Sequence, residues 1–292
     1  MLCKTISNIL TYENQFHELI IIDQTKEHEE KTKLFLEKLS YNKKIKYIYI
    51  DFPNLPNARN TGINNSTGDI ILFFDDDIEI NEDTIPSHIK EYNNNNKTGC
   101  VTGKVNIFNI NPNNNIVLHN SGKIKKIIKH LIFFLMSKKA SHVGAFGVIS
   151  NFTNNKKLSG ETCIGCNMSF RKEIFNKCGV FDLNFTGNAI REDTDMSVRL
   201  RRVGYGIIYN PQASVIHFMD NSGGTRTAQS ESYWHTIFKN QCYFYLKNFH
   251  YKYYHILFLQ IFDIIRCNKS KHKAASIFKN SYKEAKQLLR KN

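Results

Sequence analysis

Three consecutive aspartates, Asp75, Asp76 and Asp77, directly follow the apolar run GDIILFF. Adjacent like charges repel one another, so such a cluster requires either a cation or a capping role at a helix start. Asn81, followed by two further acids, is already sufficient to begin the next helix. The cluster is therefore left for a cation, and carboxylate oxygens favour a divalent ion that shares its coordination shell with substrate phosphates.

Two other acidic positions and one histidine fit the same kind of site. Asp23 ends the predicted strand HELIIID, Glu192 and Asp193 begin a predicted helix, and His217 lies near the end of SVIHF. Taken singly, the acidic pair could merely compensate a helix dipole, and the histidine could be an ordinary core residue. In open α/β sheets, ligands bind beyond the carboxyl ends of the strands, which is where several of these residues fall.

Short apolar runs alternate with helical patterns through about the first 220 residues. This alternation predicts an α/β fold, with a mostly parallel sheet flanked by helices. From about Ser230 the sequence mixes aromatic residues with lysine and histidine and ends in a basic helical pattern. We therefore expect a catalytic domain over residues 1–225 and a basic, aromatic-rich helical extension over 226–292. No apolar run reaches the roughly 18 to 20 residues that span a bilayer.

The composition favours anionic partners. Lys and Arg number 40 against 26 Asp and Glu, which gives a formal net charge of +14. Such a balance attracts nucleic acid, phosphorylated ligands or an anionic membrane surface. The basic residues form no recognisable RNA- or DNA-binding module, so nucleic acid is the least favoured. The 7 cysteines are scattered and odd in number, which is typical of a reducing, cytoplasmic setting.

Five motifs in order resemble the family 2 inverting glycosyltransferases with the GT-A (Rossmann-like) fold. The motifs are ELIIIDQT, LPNARNTGINNSTGDIILFFDDD, GCNMSFRKEIFNKCGVFD, REDTDMSVRLRRVGY and NPQASVIHF. The likeness runs from about Leu2 to Phe218 and is nearest to rhamnosyltransferase-like members. It implies a UDP-, GDP- or dTDP-sugar donor, Mg²⁺ or Mn²⁺, and a glycan or lipid-linked glycan acceptor in polysaccharide biosynthesis of the cell envelope. It also implies direct displacement at the anomeric carbon with inversion.

The resemblance assigns a role to each matching residue. Asp75 and Asp77 resemble the ends of the metal-binding DxD motif, and His217 matches a histidine that completes the metal shell in some relatives. Asp193, beside Glu192, matches the catalytic base. Residues 165–168 resemble the loop that closes beneath the transferred sugar. The donor-binding residues implied in this way are Asp23, Arg59, Asn60, Asp75, Asp76, Gly165, Asn167 and Met168.

The start of the chain departs from the family pattern, because relatives place a strand and turn before the helix that LCKTISNIL resembles. This departure leaves open an inactive glycosyltransferase remnant that binds a membrane or partner through its basic tail.

A nucleotidyltransferase is an alternative function, because it also uses an acidic metal site, but it fits the GCNMSF and RED motifs poorly. A zinc or redox role for CIGC lacks a second cysteine pair. We expect a cytoplasmic protein that lies on the inner face of a membrane. For LIFFLM in the basic stretch Lys123–Lys139, an amphipathic core helix with a solvated basic face is the first interpretation and membrane docking is the second.

Overall fold

The computed structural model describes residues 1–109, 139–145, 147–219, 230–270 and 272–291. The basic stretch around LIFFLM lies outside these residues, apart from Lys139. The chain divides into two compact units, each assembled from several segments. The first unit comprises Met1–His17, Gly68–Lys177 and Leu200–Asp220, and the second comprises Glu18–Thr67, Cys178–Arg199 and Asn221–Asn292.

The described part of the chain contains both strands and helices. The described strands are β1 (Ile20–Asp23), β2 (Lys46–Tyr49), β3 (Ile70–Phe74), β4 (Ile78–Ile80), β5 (Thr98–Asn109), β6 (Ser141–Gly144), β7 (Gly147–Ser150), β8 (Leu158–Gly160), β9 (Asn167–Arg171) and β10 (Gly206–Met219). The described α-helices are α1 (Leu2–Leu10), α2 (Glu30–Tyr41), α3 (Leu55–Asn65), α4 (Thr84–Asn94), α5 (Glu173–Cys178), α6 (Glu192–Arg202), α7 (Glu231–Phe249), α8 (Tyr253–Leu259), α9 (Ile261–Lys269) and α10 (Ala274–Lys291).

The first unit is built on a six-stranded sheet with the order β3-β9-β5-β10-β4, to which β8 adds on β10. β10 runs parallel to β5 and antiparallel to β4 and β8. β9 is antiparallel to both of its neighbours, β3 and β5. Helix α4 packs on β5 and β10, and α1 packs on β4. The expected α/β class is therefore confirmed, with helices against a central sheet.

The expectation of a mostly parallel sheet is wrong for this unit, because most of its strand pairs are antiparallel. Two of the four antiparallel pairs join β10 to β4 and β8, and the other two involve β9, part of which we expected to be a loop. Four consecutive residues of β9 are buried, from Asn167 to Phe170. A strand covered on both faces buries consecutive residues instead of alternating ones. Such a strand can fill the position between β3 and β5.

The second unit contains the parallel pair β1 and β2, with α3 packed on β1. Its C-terminal part is helical, as the sequence predicted, and α7 packs along α10. Large aromatic side chains, among them Trp234, Phe238 and Phe278, are fully buried in these helices. On α7, Lys247 binds the carboxylates of Asp182 and Asp195. Among the described helices, we find none whose length and hydropathy would allow it to cross a lipid bilayer.

Candidate active site

The first unit brings two aspartates and a histidine together at one edge of its sheet. Asp75, Asp77 and His217 each offer a ligand atom, and these atoms all lie within 4.8 Å of one another. The strand register explains the arrangement, because β10 pairs His217 directly with Ile78, the residue after Asp77. The Nε2 atom of His217 lies 2.8 Å from Oδ1 of Asp77. The structure therefore brings these three residues together, and their role as metal ligands stays a prediction.

The chemistry of this triad fits a divalent cation. It combines two carboxylate groups with one imidazole nitrogen, a donor set that Mn²⁺ and Mg²⁺ accept. Asp75 and Asp77 are half-buried and His217 is buried, so both carboxylate groups keep some contact with solvent. Asp76 lies outside this triad, and its side chain is exposed.

Helix α1 fixes the backbone of the loop that carries the aspartates. The buried hydroxyl of Thr5 lies 2.9 Å from the carbonyl oxygens of both Asp76 and Ile78. Asn8 accepts from the amide of Ile80 at 2.8 Å and donates to its carbonyl oxygen at 3.2 Å. These four contacts hold the turn after β3 against α1. Sequence analysis missed this role of Thr5 and Asn8, because neither residue belongs to a recognisable motif.

In the second unit, Asp23 lies at the carboxyl end of β1, as predicted, and its carboxylate has several hydrogen-bond donors. It accepts from the amide of Thr25 at 2.8 Å, from the hydroxyl of Tyr47 at 2.9 Å and from the ring of His28. Burial alone would raise the pKa of Asp23, but these hydrogen bonds outweigh burial and hold the pKa below its ordinary value. The group is thus an anion at neutral pH. Its base-binding role stays a prediction.

Arg59 and Asn60 lie side by side on α3, and both are buried. The guanidinium of Arg59 pairs with the carboxylate of Glu192, where the two side chains are 6% and 5% exposed. Asn60 donates to the carbonyl oxygen of Phe181 at 2.8 Å and accepts from its amide at 2.9 Å. Both side chains therefore tie α3 to later segments of the second unit. Their predicted contacts with the donor stay a prediction.

The two acids at the start of α6 differ in environment although they are neighbours. Glu192 is buried against Arg59, and its Oε2 atom has no hydrogen-bond partner among the described residues. Asp193 is half-buried, and its Oδ1 atom accepts from the amide of Thr194 at 2.6 Å. The chain enters the helix through Ala189 and Arg191, which have φ angles of 48° and 78°, in the left-handed region that such residues seldom adopt. Of the two acids, Asp193 is the one that an acceptor could reach.

The prediction of a loop over residues 165–168 is wrong in its second half. Gly165 lies in a turn, but Asn167 and Met168 belong to β9 and are fully buried. Asn167 donates to the carbonyl oxygens of Ala213 at 2.8 Å and Lys104 at 3.3 Å. Because its amide group is used inside the fold, we assign Asn167 no contact with a donor, and Met168 has no exposed surface to make one.

His88 on α4 completes the polar cluster around Asn167. Its Nε2 atom lies 2.9 Å from Oδ1 of Asn167, and its Nδ1 atom lies 2.9 Å from the hydroxyl of Ser169. Burial lowers the pKa of His88 to about 4, so the imidazole is neutral at physiological pH. Because the Asn167 amide nitrogen already donates to carbonyls, its oxygen accepts and Nε2 of His88 carries the proton. Sequence analysis gave no signal for this residue.

Comparisons with known proteins agree with this geometry. A family model described as glycosyl transferase family 2 matches residues 1–179. A curated poly-beta-1,6-N-acetyl-D-glucosamine synthase of Staphylococcus epidermidis is 26% identical over 210 residues, which cover 72% of this chain and 44% of the synthase. The chain thus spans less than half the length of this relative.

Two solved structures are similar in fold. GalNAc-T7, solved with UDP, GalNAc and Mn²⁺, has a TM-score of 0.53 at 15% identity over 78% of this chain and 43% of its own. A mannosyltransferase from Pyrobaculum calidifontis, in complex with GDP-Man and Mn²⁺, has a TM-score of 0.56 at 13% identity over 99% of this chain and 74% of its own. At these identities the likeness concerns the fold alone, and it confirms the GT-A expectation.

Proposed function

Since the chain belongs to glycosyl transferase family 2, we propose that it moves a sugar from a nucleotide-sugar donor to a hydroxyl group of a glycan or lipid-linked glycan. The grouping of Asp75, Asp77 and His217 is the single observation that supports this activity most directly. Both solved structures of similar fold contain a nucleotide or nucleotide sugar together with Mn²⁺. A UDP-, GDP- or dTDP-sugar is accordingly the donor, and the rhamnosyltransferase-like subtype stays a prediction.

A divalent cation held by Asp75, Asp77 and His217 would offset the negative charge of the departing diphosphate. The carboxylate of Asp193 takes the proton of the acceptor hydroxyl as its oxygen bonds to the anomeric carbon. The bond from that carbon to the donor phosphate breaks at the same time, and the nucleoside diphosphate leaves with the electron pair. Attack opposite the leaving group inverts the anomeric configuration, so a single base is sufficient.

Glu192 has a supporting role in this proposal. Its pairing with Arg59 keeps it away from solvent, so it holds the start of α6 in place beside Asp193 and does not move protons. Asp23 receives the nucleobase in this proposal, with His28 and Tyr47 keeping its carboxylate ionised and oriented. The family resemblance implies that Asp75 or Asp76 faces the ribose, and of the two Asp76 is the more exposed.

The location is part of the proposal as well. All cysteines among the described residues are free thiols, which suits a reducing cytoplasm. The formal net charge of +14 favours an anionic membrane face, where lipid-linked acceptors of polysaccharide synthesis would lie. The name of the Staphylococcus epidermidis relative, a polysaccharide synthase, agrees with such a pathway.

Product analysis tests the activity. The purified chain is incubated with Mn²⁺ and each of several UDP-, GDP- and dTDP-sugars, together with a set of glycan and lipid-linked acceptors. Sugar transfer releases nucleoside diphosphate and adds a hexose or deoxyhexose mass to the acceptor. We expect both products with one donor, and neither with Asp77→Asn.

Release of pyrophosphate with a nucleotide added to the acceptor would identify a nucleotidyltransferase instead. If the folded chain binds nucleotide and Mn²⁺ but yields no product with any pair, the inactive remnant is the better description. NMR of the product's anomeric proton checks the inversion separately.

A further inference from the structure

Helices α8 and α9 of the second unit expose large apolar side chains along one face. The exposed fractions run from 80% at Tyr254 to 41% at Ile261. The exposed residues are Tyr254, Phe258, Ile261, Phe262 and Ile265. Gln260 joins the two helices: its amide donates to the carbonyl oxygen of Ile256, and its own carbonyl accepts from the amide of Ile264 at 2.9 Å. Steps of three and four residues put the exposed side chains in one stripe, which we call the α8–α9 stripe.

The opposite face of the same helices anchors them to the unit. Ile256, Gln260 and Cys267 are fully buried. The side-chain amide of Gln260 reaches Sγ of Cys242 on α7 at 3.4 Å. These buried residues are four and seven positions apart, which places them on one face of the helices. The α8–α9 stripe lies on the opposite face. The helices therefore pack well on one side while their other apolar side meets solvent.

Soluble proteins rarely expose contiguous large apolar side chains without a binding role. Scattered single residues are ordinary, but here five lie on consecutive turns. Exposure of these side chains to water is unfavourable in free energy, and only another apolar surface or phase that covers them removes this penalty. The α8–α9 stripe is thus an unfilled docking surface, and the charges around it indicate what covers it.

Cations lie at both ends of the stripe. Lys252 is exposed just before α8, and Arg266 and Lys269 are exposed one turn after Phe262 and Ile265. Residues 250–273 contain five lysine and arginine residues and one acid, Asp263. That acid is only partly accessible; it accepts from Gln241 at 3.0 Å and pairs with Arg266 at 3.4 Å, which leaves Lys252 and Lys269 as the cations for headgroups. The surface therefore combines apolar rings with positive charge.

The neighbouring helix α10 adds to this charge. Its buried side, which includes Ile277 and Phe278, packs within the unit. Its exposed cations are Lys279, Lys283, Lys286 and Arg290. Glu284 is the one acid of α10, and it faces His235 and Lys239 of α7. The helical region thus carries a large excess of positive charge.

We propose that the α8–α9 stripe docks on the surface of a lipid bilayer that contains anionic headgroups. Phe, Tyr and Ile side chains enter the boundary between headgroups and acyl chains, while lysine and arginine bind the negative headgroups. A second copy of this chain is a poorer occupant, because a symmetric contact would bring the same cations face to face. This docking does not depend on sugar transfer.

Vesicle co-sedimentation tests the proposal with the full chain. We expect binding to vesicles of phosphatidylcholine with about one third phosphatidylglycerol, weaker binding to pure phosphatidylcholine, and a loss of affinity as salt rises. The double variant Phe258→Glu/Phe262→Glu should bind the anionic vesicles about tenfold more weakly or worse. Lys252→Glu/Lys269→Glu, at the two ends of the stripe, should weaken binding to anionic vesicles and leave binding to neutral vesicles unchanged.

Phe52→Glu is the matched control, because Phe52 is also an exposed phenylalanine of the second unit but lies outside the stripe. This variant should bind vesicles as the unchanged chain does. The substituted side chains are exposed, so all variants should keep their melting temperature, which circular dichroism checks. Full vesicle binding by Phe258→Glu/Phe262→Glu would overturn the proposal. So would a dimer of the unchanged chain in light scattering that this variant converts to monomer.

Discussion

The metal triad of the first unit and the acidic start of α6 in the second unit use carboxylates in different ways. Asp75 and Asp77 are half-buried, and the ligand atoms that they and His217 offer converge within 4.8 Å. At the start of α6, Glu192 is buried and neutralised by the permanent cation of Arg59. In the first case the neighbour is a histidine, and in the second it is a guanidinium. The first arrangement offers the ligands that we propose for a metal ion, and the second ties α3 to the start of α6.

The difference shows how carboxylates with similar motifs can be told apart. A carboxylate that is buried with an arginine contributes structure, because its charge is already balanced. Two carboxylates and a histidine whose ligand atoms converge within 4.8 Å offer the donor set of a cation site. Asp193 belongs to neither class, since it is partly accessible at a helix start and suits proton transfer. Each of the following substitutions tests one side of this comparison.

The largest effect should come from the triad. Asp77→Asn removes the charge of one metal ligand and should therefore weaken metal binding. The metal's stabilisation of the departing diphosphate, about several kcal/mol, is then lost. Turnover should fall by about a thousandfold or more. Glu79→Gln is the control, because Glu79 is an exposed acid two residues further along, outside the triad. Steady-state release of nucleoside diphosphate measures both. Equal losses in the two variants would refute a specific metal site.

Asp193→Asn should lower kcat by about a hundred- to a thousandfold, the usual contribution of a general base. Its affinity for Mn²⁺ should not change, because Asp193 is not one of the triad residues. Kinetics at saturating donor and acceptor, together with a Mn²⁺ titration, separate the two properties. Near-normal turnover in Asp193→Asn would remove this residue from the proton transfer.

Arg59→Met should destabilise the chain by about 3 to 5 kcal/mol, because it leaves the buried charge of Glu192 without a partner. The double variant Arg59→Met/Glu192→Gln should recover most of that stability. Urea unfolding measures both variants. If Arg59→Met is as stable as the unchanged chain, Glu192 is not held by this pair, and the contrast with the triad fails.

Acidification should lower the stability of the first unit through His88. Its pKa is about 4 in the folded chain, against an ordinary 6.5. Above 6.5 the ring is neutral whether the chain is folded or unfolded, so the full stability is present. Between 6.5 and about 4 only the unfolded chain takes up the proton, which favours unfolding.

Between about pH 7 and pH 5 the free energy of unfolding should therefore fall by about 2 kcal/mol on account of His88. The chain contains 11 histidines, so the difference between the unchanged chain and His88→Gln is what isolates the contribution of His88. His88→Gln should flatten the dependence, which urea unfolding at several pH values would show. The same slope in both proteins would contradict a neutral, buried His88.

The smallest effect should come from the hydroxyl that supports the triad from α1. Thr5→Val removes its contacts with the carbonyl oxygens of Asp76 and Ile78, and we expect about fivefold weaker Mn²⁺ binding. Thr5→Ser keeps the hydroxyl and should bind Mn²⁺ as the unchanged chain does. Calorimetric titration distinguishes them, and equal affinities for all three proteins would show that α1 does not position the metal loop.

The sequence predicted the triad because its residues carry local signals. The sequence alone shows three aspartates after an apolar strand and a histidine near the end of another strand. The same holds for α6, whose acidic start and apolar stripe identify it. The α/β class and the helical C-terminal region followed from the alternation of patterns and from the change of composition near Ser230.

Other features could not be found in this way, because they depend on contacts between distant segments. Arg59 and Glu192 are 133 positions apart, and nothing in either motif indicates their pairing. The start of β9 was expected to be a loop because of the family resemblance, and this short strand, buried on both faces, has no alternation that indicates otherwise. The neutral state of His88 arises from its complete burial against Asn167 and Ser169, which tertiary packing alone creates.

The most direct test of the contrast is a Mn²⁺ titration followed by electron paramagnetic resonance, which reports free Mn²⁺. The unchanged chain should bind one ion, Asp75→Asn and Asp77→Asn should lose it, and Glu192→Gln should retain it. Loss of the ion in Glu192→Gln with retention in Asp77→Asn would contradict the assignment of the metal to the first unit and of Glu192 to structure.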